Sequence, residues 1–136
     1  MDVHHNYAAW ETHHGKTGIV HRKGAVRARA GETVLIPGSM GTASYVGEGL
    51  GNDESFHTCQ HGAGRAMSRT AARKAKTSDA VYAEMEALGV VLRSSEPKDV
   101  AEEAAFAYKD IESVMAASAS LVKATKRLTP LGVVKG

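Results

Sequence analysis

Five consecutive residues, His61-Gly62-Ala63-Gly64-Arg65, combine a nucleophile, a permissive main chain and a cation. A neutral imidazole is a competent nitrogen nucleophile near pH 7, because its ordinary pKa is about 6.5. The two glycines let main-chain N–H groups approach an anion, and Arg65 can neutralise charge developing on a phosphoryl group. A helix starting directly after them would add its free N–H groups and positive end to the same place. The same residues equally suit a plain helix start beside a half-buried histidine. Pro37-Gly38-Ser39-Met40-Gly41 is a second stretch on which an anion or nucleotide can lie, with Ser39 and Ser44 supplying hydroxyls, and it equally suits an ordinary turn.

Metal chemistry has weaker support. His4 and His5 are adjacent, so on an extended chain they point opposite ways and at most one faces a given ion. His13, His14 and His21 follow without the spacing of a helical His pair or of a zincin motif. Cys59 is the sole cysteine, which excludes an intrachain disulfide and a four-cysteine zinc site and fits a reducing cytoplasm.

With 136 residues, 43% of them apolar, the chain suits one domain with a real core rather than a disordered tail. Aromatic residues make up only 5%, so the core rests on aliphatic and alanine packing, and aromatic base-stacking platforms are not expected. Neither a signal peptide nor a membrane span is expected, because no long apolar run exists. All seven histidines and eleven of the fourteen glycines precede residue 65, and that half is the basic one, which puts any phosphate chemistry there.

The elements that must position these groups follow from pattern. Short strands are expected at 18–21, 25–29, 32–36 and 43–46, separated by Lys23-Gly24, Ala30-Gly31 and Pro37-Gly38. A helix over 63–76 would place Arg65, Arg69 and Arg73 on one face and turn Ala66, Met67 and Ala71 to the core. A second helix is expected over 78–88, capped by Ser78 and ended by Gly89. Then come a strand at 90–92, a helical turn through Glu103, a helix from Asp110 to about Lys123 and a final strand at 131–136. The fold class is α+β in a single domain, with hairpins first, helices second and a closing strand.

Taken in order, His4-His5-Asn6-Tyr7, His21-Arg22-Lys23-Gly24-Ala25, Ile36-Pro37-Gly38-Ser39-Met40-Gly41, His61-Gly62-Ala63-Gly64-Arg65-Ala66-Met67-Ser68-Arg69, Ala107-Tyr108-Lys109-Asp110-Ile111 and Val134-Lys135-Gly136 resemble the C-terminal part of the RtcB family of RNA-splicing ligases. The resemblance implies part of a larger α/β ligase fold and an activity that joins an RNA 3′-phosphate or 2′,3′-cyclic phosphate to a 5′-hydroxyl, using GTP and Mn²⁺. It implies His61 as the nucleophile that takes GMP, His5 as a manganese ligand and Asn6 as a contact to the guanylate phosphate or its metal. Ser39, Met40, Ser44, Ala63, Gly64, Arg65 and Tyr108 would line the nucleotide pocket, and Lys135 would reach the guanine. Arg22 and Lys23 are further candidates for RNA contact. The family's other metal ligands lie upstream of the segment this chain resembles, so the implied partners are RNA, GTP, a complementary N-terminal segment and an archease-type activator. Without that segment the chain is expected to be inactive. The alternative is a non-catalytic nucleotide- or RNA-binding module that uses Arg65, Arg69 and Arg73 on phosphates.

Overall fold

The computed structural model describes residues 4–135; Gly136, expected to end the last strand, lies outside them. The chain runs through β1 (Asn6–His13), β2 (Lys16–Lys23), β3 (Ala25–Arg27), β4 (Thr33–Ile36), β5 (Ser44–Gly49), β6 (Thr58–Gln60), α1 (Arg69–Ala75), α2 (Ser78–Ala87), β7 (Val91–Ser94), α3 (Ile111–Ala117), β8 (Val122–Leu128) and β9 (Gly132–Lys135). Short 3₁₀ turns occupy Asp53–Ser55, Pro97–Glu103 and Ala105–Ala107. The architecture is the expected α+β arrangement, with strands mostly in the first half and a strand at the end.

Among the described residues, the strands form four small sheets: the β1–β2 hairpin, the antiparallel pair β3–β6, the antiparallel trio β4-β5-β8 with β5 central, and the parallel pair β7–β9. Two apolar clusters lie between them. One gathers Val26, Val34, Ile36, Tyr45, Ile111 and Val122, and the other gathers Met40, Val81, Met85, Val90, Leu92 and Val100. Burying a side chain of this size stabilises the fold by roughly 1.5–3 kcal/mol. Ile36 and Met40 belong to different clusters, so the 37–41 loop between them is pinned at both ends.

Strand β1 was not expected, and its inner face explains why. Glu11 points inward and is 6% exposed, its carboxylate accepting from Arg22 Nη1 at 2.6 Å and Nη2 at 3.0 Å. Arg22 also donates to the Phe56 carbonyl at 2.9 Å and to Thr58 Oγ1 at 3.0 Å. With Glu11 and His13 facing inward beside Tyr7 and Ala9, while Trp10 faces out, the strand shows no clean apolar alternation. The same pairing removes Arg22 from the candidates for RNA contact, because it is only 2% exposed.

Helix α1 starts at Arg69, not at 63, with the Ser68 side chain capping it by accepting from Ala71 N. Gly64 sits at φ +70°, a left-handed conformation no helix accepts, and Arg65 forms an isolated bridge with Tyr108 instead. Ala72 is the buried residue of α1, while Ala66 and Ala71 are exposed and Met67 is half-buried. Thr77 rather than Ser78 caps α2, and Gly89 follows that helix at φ +71° as expected. The helix expected to reach Lys123 stops at Ala117, because Val122 is drawn into the first core as β8 pairs with β5.

Candidate active site

Gly24, between β2 and β3, joins the two ends of the site. Its N–H donates to the His5 carbonyl at 2.9 Å and to Asn6 Oδ1 at 3.3 Å, and its carbonyl accepts from His61 N at 3.2 Å. The β3–β6 register sets Ala25 opposite Gln60, so His61 emerges beside Gly24. The result is a stacked pair: the His5 and His61 ring centroids are 4.0 Å apart, with the planes tilted by 37°. His5 Nδ1 is buried without a hydrogen-bond partner. Burial, reinforced by the neighbouring His5, pushes the His61 pKa below its ordinary value, so this ring is neutral at pH 7.

The turn after His61 rests on the 37–41 loop. Ala63 N donates to the Pro37 carbonyl at 3.1 Å, and a Cβ on Gly62 would stand 2.9 Å from that same oxygen, so this close approach requires glycine. Ser39 N and Ser39 Oγ both engage Thr42 Oγ1, at 2.7 and 2.9 Å, and Ser44 Oγ accepts from Gly38 N at 3.2 Å. These serine hydroxyls therefore shape the loop as well as lining it. Met40 is buried in the second core, so its side chain serves packing rather than a ligand.

Residues Gly64 to Met67 are laced to the segment before α3. Gly64 accepts from Lys109 N at 3.0 Å and Ala66 N donates to the Ala107 carbonyl at 2.8 Å. The Arg65 guanidinium lies over the Tyr108 ring, 5.0 Å from its centroid, and its Nη1 donates to the Tyr108 hydroxyl at 3.2 Å. Arg65 Nη2 is buried with no partner. The helix-end assistance expected from residues 63 onward is absent, since α1 starts at Arg69, and the Arg65 cation is held in place by stacking on Tyr108.

Glu103 gathers the rest and was not singled out from the sequence. Its carboxylate accepts from the Tyr108 hydroxyl at 2.5 Å and lies 3.6 Å from Arg65, 3.7 Å from Arg69 and 3.7 Å from Lys135. Burial alone would raise its pKa, yet the Tyr108 hydroxyl and the cations Lys135, Arg65 and Arg69 hold it below the usual carboxylate range. Burial and the bond to Glu103 push Tyr108 up. Only spatial assembly reveals this role, since nothing in the local pattern marks Glu103. A cleft of about 210 Å³ opens beside it, lined by Arg69, Ser94, Glu96, Glu102, Glu103 and Lys135.

The structure thus groups His5, Asn6 and His61 around Gly24, sets Ser39, Ser44 and Ala63 along the adjoining loop, and joins Arg65, Tyr108 and Lys135 through Glu103. The basic face expected of α1 is largely neutralised, because Arg73 pairs with Glu102 at 2.8 Å and Arg69 lies between Glu102 and Glu103. Cys59 is buried, and burial pushes its thiol up to about 11, so it is inert at neutral pH. Among the described residues, no three His, Cys, Asp or Glu side chains are grouped to hold a metal, and no helix is long and apolar enough to cross a membrane.

Known proteins match this chain throughout. The model of the family described as tRNA-splicing ligase RtcB matches residues 1–136. The RNA-splicing ligase RtcB of Escherichia coli (strain K12) is 47% identical over 136 residues, which cover all of this chain and 32% of that protein. The RNA-splicing ligase RtcB of Mycobacterium tuberculosis is 40% identical over 154 residues and the tRNA-splicing ligase RtcB of Aeropyrum pernix 39% over 155, covering 99% of this chain and 36% and 32% of those proteins. The chain therefore spans about a third of the length of the curated relatives it matches. With the family model matching residues 1–136, the chain belongs to the RtcB family of tRNA-splicing ligases.

Proposed function

We propose that this chain supplies the nucleophile and much of the guanylate site of an RNA ligase that joins an RNA 3′-phosphate or 2′,3′-cyclic phosphate to a 5′-hydroxyl, using GTP. The observation that carries the reading is the half-buried His61, kept neutral by burial and by His5 and followed by a turn that only glycine fits against Pro37. In this reading, His61 attacks the α-phosphorus of GTP. A P–N bond forms, the P–O bond to pyrophosphate breaks, and the imidazole passes its ring proton to solvent. Arg65 offsets charge on the phosphates, with its unpartnered Nη2 available for the purpose. Tyr108 walls the pocket, and the Lys135 ammonium suits the O6 and N7 acceptors of guanine.

Manganese belongs to the same reading. His5 offers a buried, unpartnered Nδ1, which is a ready donor to a divalent ion. One imidazole does not hold such an ion, and the described residues group no three metal-binding side chains, so the residues present do not make up a manganese centre and no step here is routed through one. Further ligands belong to a complementary segment, which completes the enzyme in this reading together with RNA and an archease-type activator.

The test is a chimera in which this chain replaces the matching segment of the Escherichia coli relative, incubated with GTP radiolabelled at either the α- or the γ-phosphate. Label retained on denatured protein from the α-position alone supports the reading. Label from neither position, in a chimera that folds, contradicts it.

A further inference from the structure

The outer face of the β1–β2 hairpin begins at the candidate active site and leads away from it. Side chains alternate along β1, so Asn6, beside the His5–His61 pair, shares a face with Trp10, and the register sets Lys23 opposite Asn6, His21 opposite Ala8 and Ile19 opposite Trp10. Trp10 is 73% exposed in the middle of a strand, and Ile19 is 53% exposed next to it. Threonines fill the remaining places toward the hairpin tip, so this face carries one fixed cation, one histidine and no carboxylate. The acidic Glu11 lies on the opposite face, where Arg22 neutralises it.

From this arrangement we propose that the outer face of the hairpin is a track for single-stranded RNA, with Trp10 stacking on a base and Lys23 on a phosphate near the reacting end. The proposal rests on the ligase reading above and adds where the substrate strand lies. The face mixes Ala8, Trp10 and Ile19 with His21, Lys23 and two threonines, and its fixed cation stands opposite Asn6, beside the His5–His61 pair, where the phosphate of a reacting end would lie. A base needs one aromatic plate, and its backbone needs cations without nearby carboxylates. Four residues of strand place Trp10 about 14 Å from Asn6, so the stacked base belongs to a nucleotide a short way from the joined end rather than to the end itself. Aromatic residues are scarce in the sequence, yet one exposed plate suffices for this role.

The experiment uses the same chimera with Trp10→Ala and Trp10→Phe variants, and RNA ends carrying a single abasic nucleotide at successive positions. GMP loading of His61 requires no RNA, so it reports on the ligase reading independently. The expected result is that Trp10→Ala raises the RNA concentration for half-maximal sealing about ten-fold, with Trp10→Phe restoring most of the loss. One abasic position should weaken sealing in the parent chimera and have little further effect in Trp10→Ala, because plate and base form one interaction. Equal abasic penalties in both proteins, or an unchanged RNA requirement, would overturn the proposal. So would a Trp10→Ala variant that loses thermal stability instead, since that result marks the face as a polypeptide contact.

Discussion

The imidazole rings of His5 and His61 stack 4.0 Å apart because Gly24 holds the main chains of both residues, one through its N–H and the other through its carbonyl. Gly24 adopts φ +67° with open space where a Cβ would be, so its requirement is conformational rather than steric. Gly24→Asn should be tolerated, since asparagine visits this region, whereas Gly24→Val should cost on the order of 1–3 kcal/mol and part the two rings. Thermal unfolding together with the GMP-loading rate checks this: valine should impair both and asparagine neither.

Acid should silence His61 at a pH below the one that protonates an ordinary imidazole. Its pKa lies under the ordinary 6.5, through burial first and His5 second. In the proposed loading step His61 attacks as the neutral ring, so the acid limb of that step belongs below pH 6.5. The unfolded chain binds this proton more readily than the folded one, so the group's effect is to reduce stability as pH falls below 6.5, with recovery above it. An NMR titration of the His61 ring should show a depressed midpoint that rises in His5→Gln. A midpoint at or above 6.5 in the parent contradicts the electrostatic account.

Glu11 and Arg22 form a buried pair on the inner face of the hairpin, with side chains 2% and 1% exposed. The hydrogen bonds from Arg22 lower the Glu11 pKa to about 2 against the opposing effect of burial. The folded pKa is depressed, so this stabilisation is complete above about 4.5 and is lost as pH falls toward 2. Arg22→Ala leaves the buried Glu11 carboxylate with only the His13 imidazole as a partner and should cost about 3–5 kcal/mol in urea unfolding. A loss of RNA affinity without loss of stability would show that Arg22 contacts RNA after all.

At the chain's far end, Lys135 is 36% exposed and 3.7 Å from Glu103, so their pairing adds little to stability. In the proposed guanylate site its part is to hold an ammonium at a fixed place beside Glu103. Lys135→Ala in the chimera should raise the GTP requirement about ten- to a hundred-fold and narrow the preference for GTP over ATP, with little change in melting temperature. Unchanged nucleotide preference would mean that this lysine is merely solvated.

Legibility in the sequence followed chemistry more closely than periodicity. The His61 turn and the 37–41 loop carry their glycines and hydroxyls in the sequence itself, and the two pack against each other through Ala63 and Pro37, whereas Tyr108 and Lys135 entered only through the family resemblance. Strands β1 and β8 were not legible. The first turns Glu11 inward, and the second buries Val122 alone among seven residues, so neither shows apolar alternation. The start of α1 was misplaced because alanine and arginine favour helix from 63 onward, while the left-handed Gly64 and the Arg65–Tyr108 bridge, a tertiary contact, delay it to the Ser68 cap. Glu103 was invisible because its importance lies in three cations and a hydroxyl brought from four separate segments.

The most direct measurement is the site of GMP attachment. The chimera, loaded with GTP radiolabelled at the α-phosphate, digested and mapped by mass spectrometry, should carry an acid-labile, base-stable adduct on His61 alone. His61→Ala should abolish it, and His57→Ala, which alters a histidine paired with Asp53 away from this turn, should leave it nearly intact. An adduct on another residue, or full labelling of His61→Ala, would contradict the account.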